Sequence, residues 1–244
     1  MNLSLEDSGI SQELAVYKTH EPISMKLLMS EIKPGMRVVD IGANIGYYAL
    51  LEAKLVGNQG EVIAIEPVPS NVEMLKSNIA ANGYNNMRIY EVAIGPENRP
   101  AKIYLSNKSN LSAMVLNKES TGNYLTVPMV TLDSLLANEK QIDYIQMDME
   151  GYETEAINGM LEILKRWHPG IFMEIHAPQA GGENAVILLK HLKSLGYGTK
   201  YVVDKAFNYP LIKNKRSIET PSIDDFMADS RITEGRAVFN IFLC

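Results

Sequence analysis

Two glycines, an asparagine and an acid fall within one short stretch, Asp40-Ile41-Gly42-Ala43-Asn44-Ile45-Gly46, directly behind the apolar pair Val38-Val39. Gly42 and Gly46 allow a tight turn and a close approach of the backbone to a ligand. The amides that follow, at the start of a helix, favour a negatively charged group. Asp40 adds an acceptor that suits a cationic amine and repels a diphosphate. A dinucleotide turn reads G-x-G-x-x-G; here Asn44 and Tyr47 stand at its second and third glycines. Glu66 closes the next apolar run 20 residues beyond Gly46, where a ribose-binding acid belongs. An amino-acid head at the turn and a ribose at Glu66 together describe S-adenosylmethionine, which joins them through a sulfonium. The expected donor set is Asp40, Gly42, Asn44, Gly46 and Glu66, with Asp148 as a further partner for the amine.

A second group of chemical residues follows two later apolar runs. "MDMEGYE" holds Asp148, Glu150 and Glu153, and "MEIHAP" holds Glu174 and His176. Asp148 and Glu150 alternate as strand residues do, so they reach one ligand only if the strand has already ended, which Gly151 suggests. A sugar hydroxyl is a poor nucleophile, and a base near it helps as a methyl moves. His176 titrates in the useful range and ranks first as that base, Glu150 second; Asp148 either joins them or grips the donor. Glu153 is read as support for the next helix through its dipole. Asp148, Glu174 and His176 also suit magnesium or manganese, but no local spacing enforces a metal and none is expected. His20, His168 and His191 are read as solvated. Asn110 and Ser112, in the polar run Ser106–Asn123, are expected to offer hydrogen bonds to acceptor hydroxyls as part of a lid. Tyr104 and Lys108 match a dehydrogenase pair only by chance, because they lie outside the helix where that pair belongs.

The elements that position these groups alternate. Strands are expected at Arg37–Ile41, Glu61–Glu66, Met87–Ala93, Ile142–Met147, Gly170–Ile175, Lys200–Val203 and Ala237–Leu243. Helices are expected from Pro22, over Gly46–Val56, over Asn71–Asn82 with Ser70 as cap, over Thr154–Lys165 and over Glu183–Leu195. That rhythm predicts βαβ units and a mostly parallel sheet covered on both faces, with ligands beyond the carboxyl ends of the strands. The net charge of −6 disfavours a broad nucleic-acid face. Cys244, the single cysteine, cannot form an internal disulfide and suits a reducing compartment. No apolar run nears the roughly 20 residues of a membrane helix. A cytoplasmic protein is expected, with no bound nucleic acid.

The segment "VVDIGANIGYYALLEAKLVGNQGEVIAIEPVPSNVEMLKSNIAANG" resembles the start of an FkbM-family methyltransferase. "IDYIQMDMEGYETEAINGM" resembles that family's second signature, "IFMEIH" its third, and "HEPISMKLLMSEIKPG" its leading helix, with an acid-proline pair before the K-P-G turn. The resemblance covers roughly residues 17–205. It implies an α/β class I methyltransferase fold (Rossmann-like): a mostly parallel seven-stranded sheet, helices on both faces and an antiparallel last strand. Residues 1–36 then form an N-terminal helical segment. Residues 37–244 form the S-adenosylmethionine-binding domain, with loop excursions near 95–130 and 204–236. The resemblance also implies S-adenosylmethionine as donor and O-methylation of a hydroxyl on a sugar, glycan or other small acceptor. An NAD-linked oxidoreductase and a donor-binding protein without turnover stand as second and third readings. The incomplete glycine fingerprint weighs against the former, the intact acids at Asp148 and Glu150 against the latter.

Overall fold

Alternation along the strands decides which residues face which layer. In β1 (Arg37–Ile41), Val38 packs into one core while Val39 and Ile41 pack into another. In β2 (Glu61–Ile65), Val62 and Ala64 take the first side, Ile63 and Ile65 the second. The computed structural model of the chain describes residues 1–4, 9–104, 113–114, 124–208 and 218–244.

After β3 (Met87–Tyr90) come β4 (Ala93–Ile94), β5 (Arg99–Tyr104), β6 (Ala113–Met114) and β7 (Tyr124–Val130), then β8 (Tyr144–Met147), β9 (Gly170–His176), β10 (Thr199–Asp204), β11 (Ile218–Glu219) and β12 (Val238–Leu243). The main sheet has the order β11-β10-β12-β9-β8-β1-β2-β3. The pairs among β9, β8, β1, β2 and β3 are parallel. β12 runs antiparallel between β9 and β10, as expected of the last strand. The sheet has eight strands rather than the expected seven, because Ile218–Glu219 adds antiparallel to β10. The expected strand Met87–Ala93 is two strands: β3 stays in the main sheet, and β4 joins β7, β5 and β6 in a separate small sheet. Among its described residues, the excursion near 95–130, expected as loops, therefore holds the strands β5, β6 and β7.

The helices begin with α1 (Ile10–Tyr17), α2 (Pro22–Glu31), α3 (Tyr47–Val56) and α4 (Pro69–Asn82). Leu28 and Ile32, Ala49 and Ala53, and Leu75 pack with Val38, Tyr144, Phe172 and Phe242 on one face. Pro69, not a capping Ser70, opens α4; no side-chain cap is made there. The other face carries α5 (Leu132–Leu135), α6 (Glu153–Ile157), α7 (Leu161–Trp167), α8 (Ala177–Ala180) and α9 (Gly182–Ser194). The single helix expected over Thr154–Lys165 is broken between α6 and α7. A Cβ on Gly159 would stand 2.0 Å from the Gly95 carbonyl oxygen, so backbones meet there. Asp133 then accepts from the amides of Glu162 and Ile163 and caps the new helix start.

From β1 the chain proceeds outward to β2 and β3, then returns to place β8 on the other side of β1. The reversal lies between β1 and β8, and the ends of those two strands carry the first turn and Asp148. No described helix is long and apolar enough to cross a membrane.

Candidate active site

The turn after β1 is closed by its own backbone and by Glu66. The amides of Gly42 and Ala43 donate to the Ile65 carbonyl at 2.9 and 3.1 Å. Asn44, at φ 51, donates its amide to Glu66 Oε2 at 2.9 Å. The other carboxylate oxygen of Glu66 accepts from the Val68 amide at 2.9 Å and from Asn71 Nδ2 at 3.2 Å. Burial raises the Glu66 carboxyl, and those donors hold it back. A carboxylate has about four acceptor sites, so three are engaged and room is left for one strong ligand hydroxyl. Gly42 (φ +85) is forced by proximity: a Cβ there would lie 2.1 Å from the Asp148 carbonyl oxygen. Gly46 (φ +94) packs instead against Leu75, 2.6 Å from where its Cβ would be, and does not line the cleft.

Asp40 and Gln146 are register partners on neighbouring strands and point to the α3 face. Asp40 is 1% exposed, and neither of its carboxylate oxygens has a hydrogen-bond partner among the described residues. Burial, then the charges of Asp148 and Glu66, push its carboxyl well above the usual range, with the Ala49 backbone pulling the other way. Glu52, from α3, is buried with neither oxygen partnered among the described residues and is raised by burial and by Asp40. A buried acid without a partner is costly, and a ligand ammonium at Asp40 would supply one.

β8 ends at Met147, so Asp148 and Glu150 are free of strand alternation. Both line the same cleft as Asn44 and Glu66, whose open space is about 1000 Å³ with its mouth included. Glu150 takes φ 53 and Gly151 φ 100, a backbone bend that turns the chain into α6. Glu153 sits inside that bend. Its Oε1 accepts from the Met149 amide at 3.1 Å and the Gly151 amide at 3.2 Å, and meets His176 Nδ1 at 3.1 Å. His176 Nε2 then faces three carboxylates: Glu174 at 3.0 Å, Glu150 at 3.3 Å and Asp148 at 3.8 Å. Burial would lower the His176 pKa, but Glu174 and Glu153 raise it well above the usual imidazole range. Burial pushes Asp148 up to about 7 and Glu150 up to about 8, each with help from neighbouring acids. Burial acts on Glu174 in the same direction, yet Lys205 and His176 bring it down to about 2.

Two residues of this corner escape a reading of the sequence. Lys205, in the turn after β10, places Nζ against Glu174 Oε1 and 3.2 Å from Glu21 Oε1. Glu21, at φ 46 before α2, accepts from Tyr48 Oη at 2.8 Å and Asn240 Nδ2 at 2.6 Å. The acid-proline pair at Glu21-Pro22 is the one signal that marked it; Lys205 lies in the unassigned 204–236 stretch. His20 is not solvated as expected. Its Nδ1 meets Glu13 at 2.9 Å and it lines the cleft; His168 is exposed as expected, with its ring stacked on Tyr197 at 4.2 Å. Asn110 and Ser112, and the Ser106–Asn123 lid except for Ala113–Met114, lie outside the described residues.

A family profile described as the methyltransferase FkbM domain matches residues 40–198. Among curated proteins, the chain is similar to protein-L-isoaspartate O-methyltransferase 1 of Archaeoglobus fulgidus. The two are 39% identical over 57 residues, 23% of this chain and 26% of the relative. A protein of the same name from Arabidopsis thaliana is 40% identical over 58 residues, 24% of this chain and 25% of the relative. The match thus spans only about a quarter of the length of these relatives. Among solved structures, methyltransferase FkbM from Methylobacillus flagellatus KT aligns with a TM-score of 0.51 at 14% identity, covering 72% of this chain and 46% of that one. A structure named as a putative rRNA-methylase from Clostridium thermocellum aligns with a TM-score of 0.52 at 10% identity over 90% and 92% of the two chains. At such identities the likeness is one of fold: the α/β class I methyltransferase fold, with a mostly parallel sheet and antiparallel C-terminal strands.

Proposed function

The chain belongs to the FkbM methyltransferase family, whose donor is S-adenosylmethionine, and on that premise we propose that it methylates a hydroxyl of a sugar, glycan or other small acceptor. The observation that carries this reading is the sharing of one cleft by the Asn44–Glu66 turn and by Asp148 and Glu150. Glu66 takes the ribose, Gly42 and Asn44 present backbone to the donor, and Asp40 accepts from its ammonium. The donor's methyl then lies toward Asp148 and Glu150, where an acceptor oxygen can approach in line.

In the transfer, the acceptor oxygen forms its bond to the methyl carbon as the carbon–sulfur bond breaks. The bonding pair stays on sulfur, which leaves as the neutral thioether of S-adenosylhomocysteine. The hydroxyl proton must go to a base as the new ether forms. Of the two groups ranked as base from the sequence, Glu150 now stands ahead of His176. It lines the cleft with its side chain 12% exposed, whereas His176 is 2% exposed, is held at Nδ1 by Glu153 and does not line the cleft. His176 therefore acts on the neighbouring carboxylates rather than on the acceptor. Holding donor and acceptor in line supplies most of the acceleration.

The test is transfer of a labelled methyl group from S-adenosylmethionine to a panel of monosaccharides, glycolipid headgroups and other small alcohols. The expected product is a methyl ether that survives mild alkali. Label recovered as an alkali-labile methyl ester, or on nitrogen, would overturn the hydroxyl assignment.

A further inference from the structure

We infer that Asp148, Glu174 and His176 form a divalent-cation site of the manganese or magnesium class beside Glu150. One ligand atom from each of the three lies within 4.8 Å of the others. A six-coordinate cation of this class, with bonds of about 2.0–2.1 Å, spaces its ligands about 3 Å apart when adjacent and about 4 Å when opposite. The Nε2–Glu174 distance of 3.0 Å and the Nε2–Asp148 distance of 3.8 Å fall in that span.

The histidine is oriented as a ligand. Glu153 occupies Nδ1 while itself pinned by the Met149 and Gly151 amides, so Nε2 alone is turned to the carboxylates. A carboxylate behind a histidine is the usual outer support of a metal-bound imidazole. Asp148 adds an independent sign. Its side chain is 32% exposed, yet Oδ1 is buried and has no hydrogen-bond partner among the described residues. The charge balance also calls for a cation. Glu21, Asp148, Glu150, Glu153 and Glu174 converge on three basic groups, His20, His176 and Lys205, and a buried excess of carboxyl groups is costly. Histidine with carboxylates suits manganese, which tolerates both donor types; oxygen-only preference makes magnesium the weaker occupant.

The sequence brought these three residues together as a set suited to such a cation, but no local spacing tied them and no metal was expected, since they come from the ends of two strands. Lys205 is its built-in competitor, because its ammonium rests on the same Glu174 oxygen. The cation's role, though not its binding, rests on the methyl-transfer reading. Held beside Glu150, it would receive the acceptor hydroxyl and keep the oxygen next to the base.

The experiment is titration of the full chain with manganese alone, followed by the loss of the free-ion electron paramagnetic resonance signal. One equivalent is expected to bind. Glu174→Gln and His176→Gln should each weaken binding about tenfold or more, while Lys205→Ala should tighten it about tenfold by removing the competitor. Stabilisation by S-adenosylhomocysteine reports folding and donor binding separately in each variant, so failure of the donor reading shows there and failure of the metal site in the titration. If the two ligand variants do not fold, the opposite sign at Lys205→Ala still decides. No binding by the wild-type chain, equal affinity in the ligand variants, or weaker binding in Lys205→Ala would overturn the site.

Discussion

Alanine at Gly42 should damage this protein far more than alanine at Gly83, although both glycines have positive φ. At Gly83, φ is +68 and nothing lies within 4 Å of the added Cβ. That substitution meets only left-handed strain, about 1–2 kcal/mol. At Gly42, φ is +85 and the added Cβ would lie 2.1 Å from the Asp148 carbonyl oxygen, against 3.4 Å for the nearest ordinary contact. Two backbones must therefore part by more than an ångström. They are tied by parallel pairing from Val38–Tyr144 to Ile41–Met147, and the Asp148 amide donates to Ile41 at 3.0 Å. On the other side, the Gly42 amide is held by Ile65 at 2.9 Å. Loss of one or two such bonds, at about 0.5–1.5 kcal/mol each, adds to the strain for a total of about 2–5 kcal/mol. Urea unfolding at unchanged m-value measures both variants. Stabilisation by S-adenosylhomocysteine measures the turn itself. Gly42→Ala should lose most of that stabilisation and Gly83→Ala should keep it. If Gly42→Ala matches Gly83→Ala in stability and retains full donor binding, the close approach of the turn to Asp148 is not what holds the donor site.

Other outcomes follow from the same geometry. Glu66→Ala strands the Asn44 and Val68 amides and Asn71, and should weaken S-adenosylhomocysteine about ten- to a hundredfold by calorimetry; unchanged affinity would end the ribose assignment. Glu150→Gln should lower turnover about a hundredfold or more with donor affinity intact, and full turnover would remove it as the base. Glu52 faces Asp40 from β1 and Tyr144 from β8, and its carboxyl is raised well above its ordinary value of 4.5, first by burial. A raised carboxyl favours the folded state while protonated, so its contribution is complete below about pH 4.5 and is lost as pH rises through the folded value. Glu52→Gln should therefore gain in stability relative to wild type as pH rises, by about 1.4 kcal/mol for each pH unit between about 4.5 and that folded value and by nothing further above it; a constant difference from acid to alkaline pH would contradict this.

The repeating βαβ pattern was legible in the sequence because strand and helix periods are local, and parallel strands put their carboxyl ends on one edge. That geometry made Asp40, Glu66, Asp148 and His176 neighbours on paper before any contact was known. The break of Met87–Ala93 was not legible, since an apolar strand reads the same whichever sheet it joins. Nor was the gap between α6 and α7, which follows from Gly159 meeting the distant Gly95 backbone.

Residue types and spacings by themselves determined the alternating α/β class with its mostly parallel sheet, the glycine turn after β1 and the roster of acids after β8 and β9. Tertiary structure alone decided what those acids do. It buried His176 behind Asp148 and Glu150 with Nδ1 engaged by Glu153, and left Glu150 lining the cleft. It carried Glu21 from the N-terminal segment and Lys205 from an unassigned stretch to the same corner, where the ammonium holds Glu174 ionised. The reason is physical: periodicity is set by neighbours along the chain, whereas the charge state and reach of a buried side chain are set through space by groups far away in sequence.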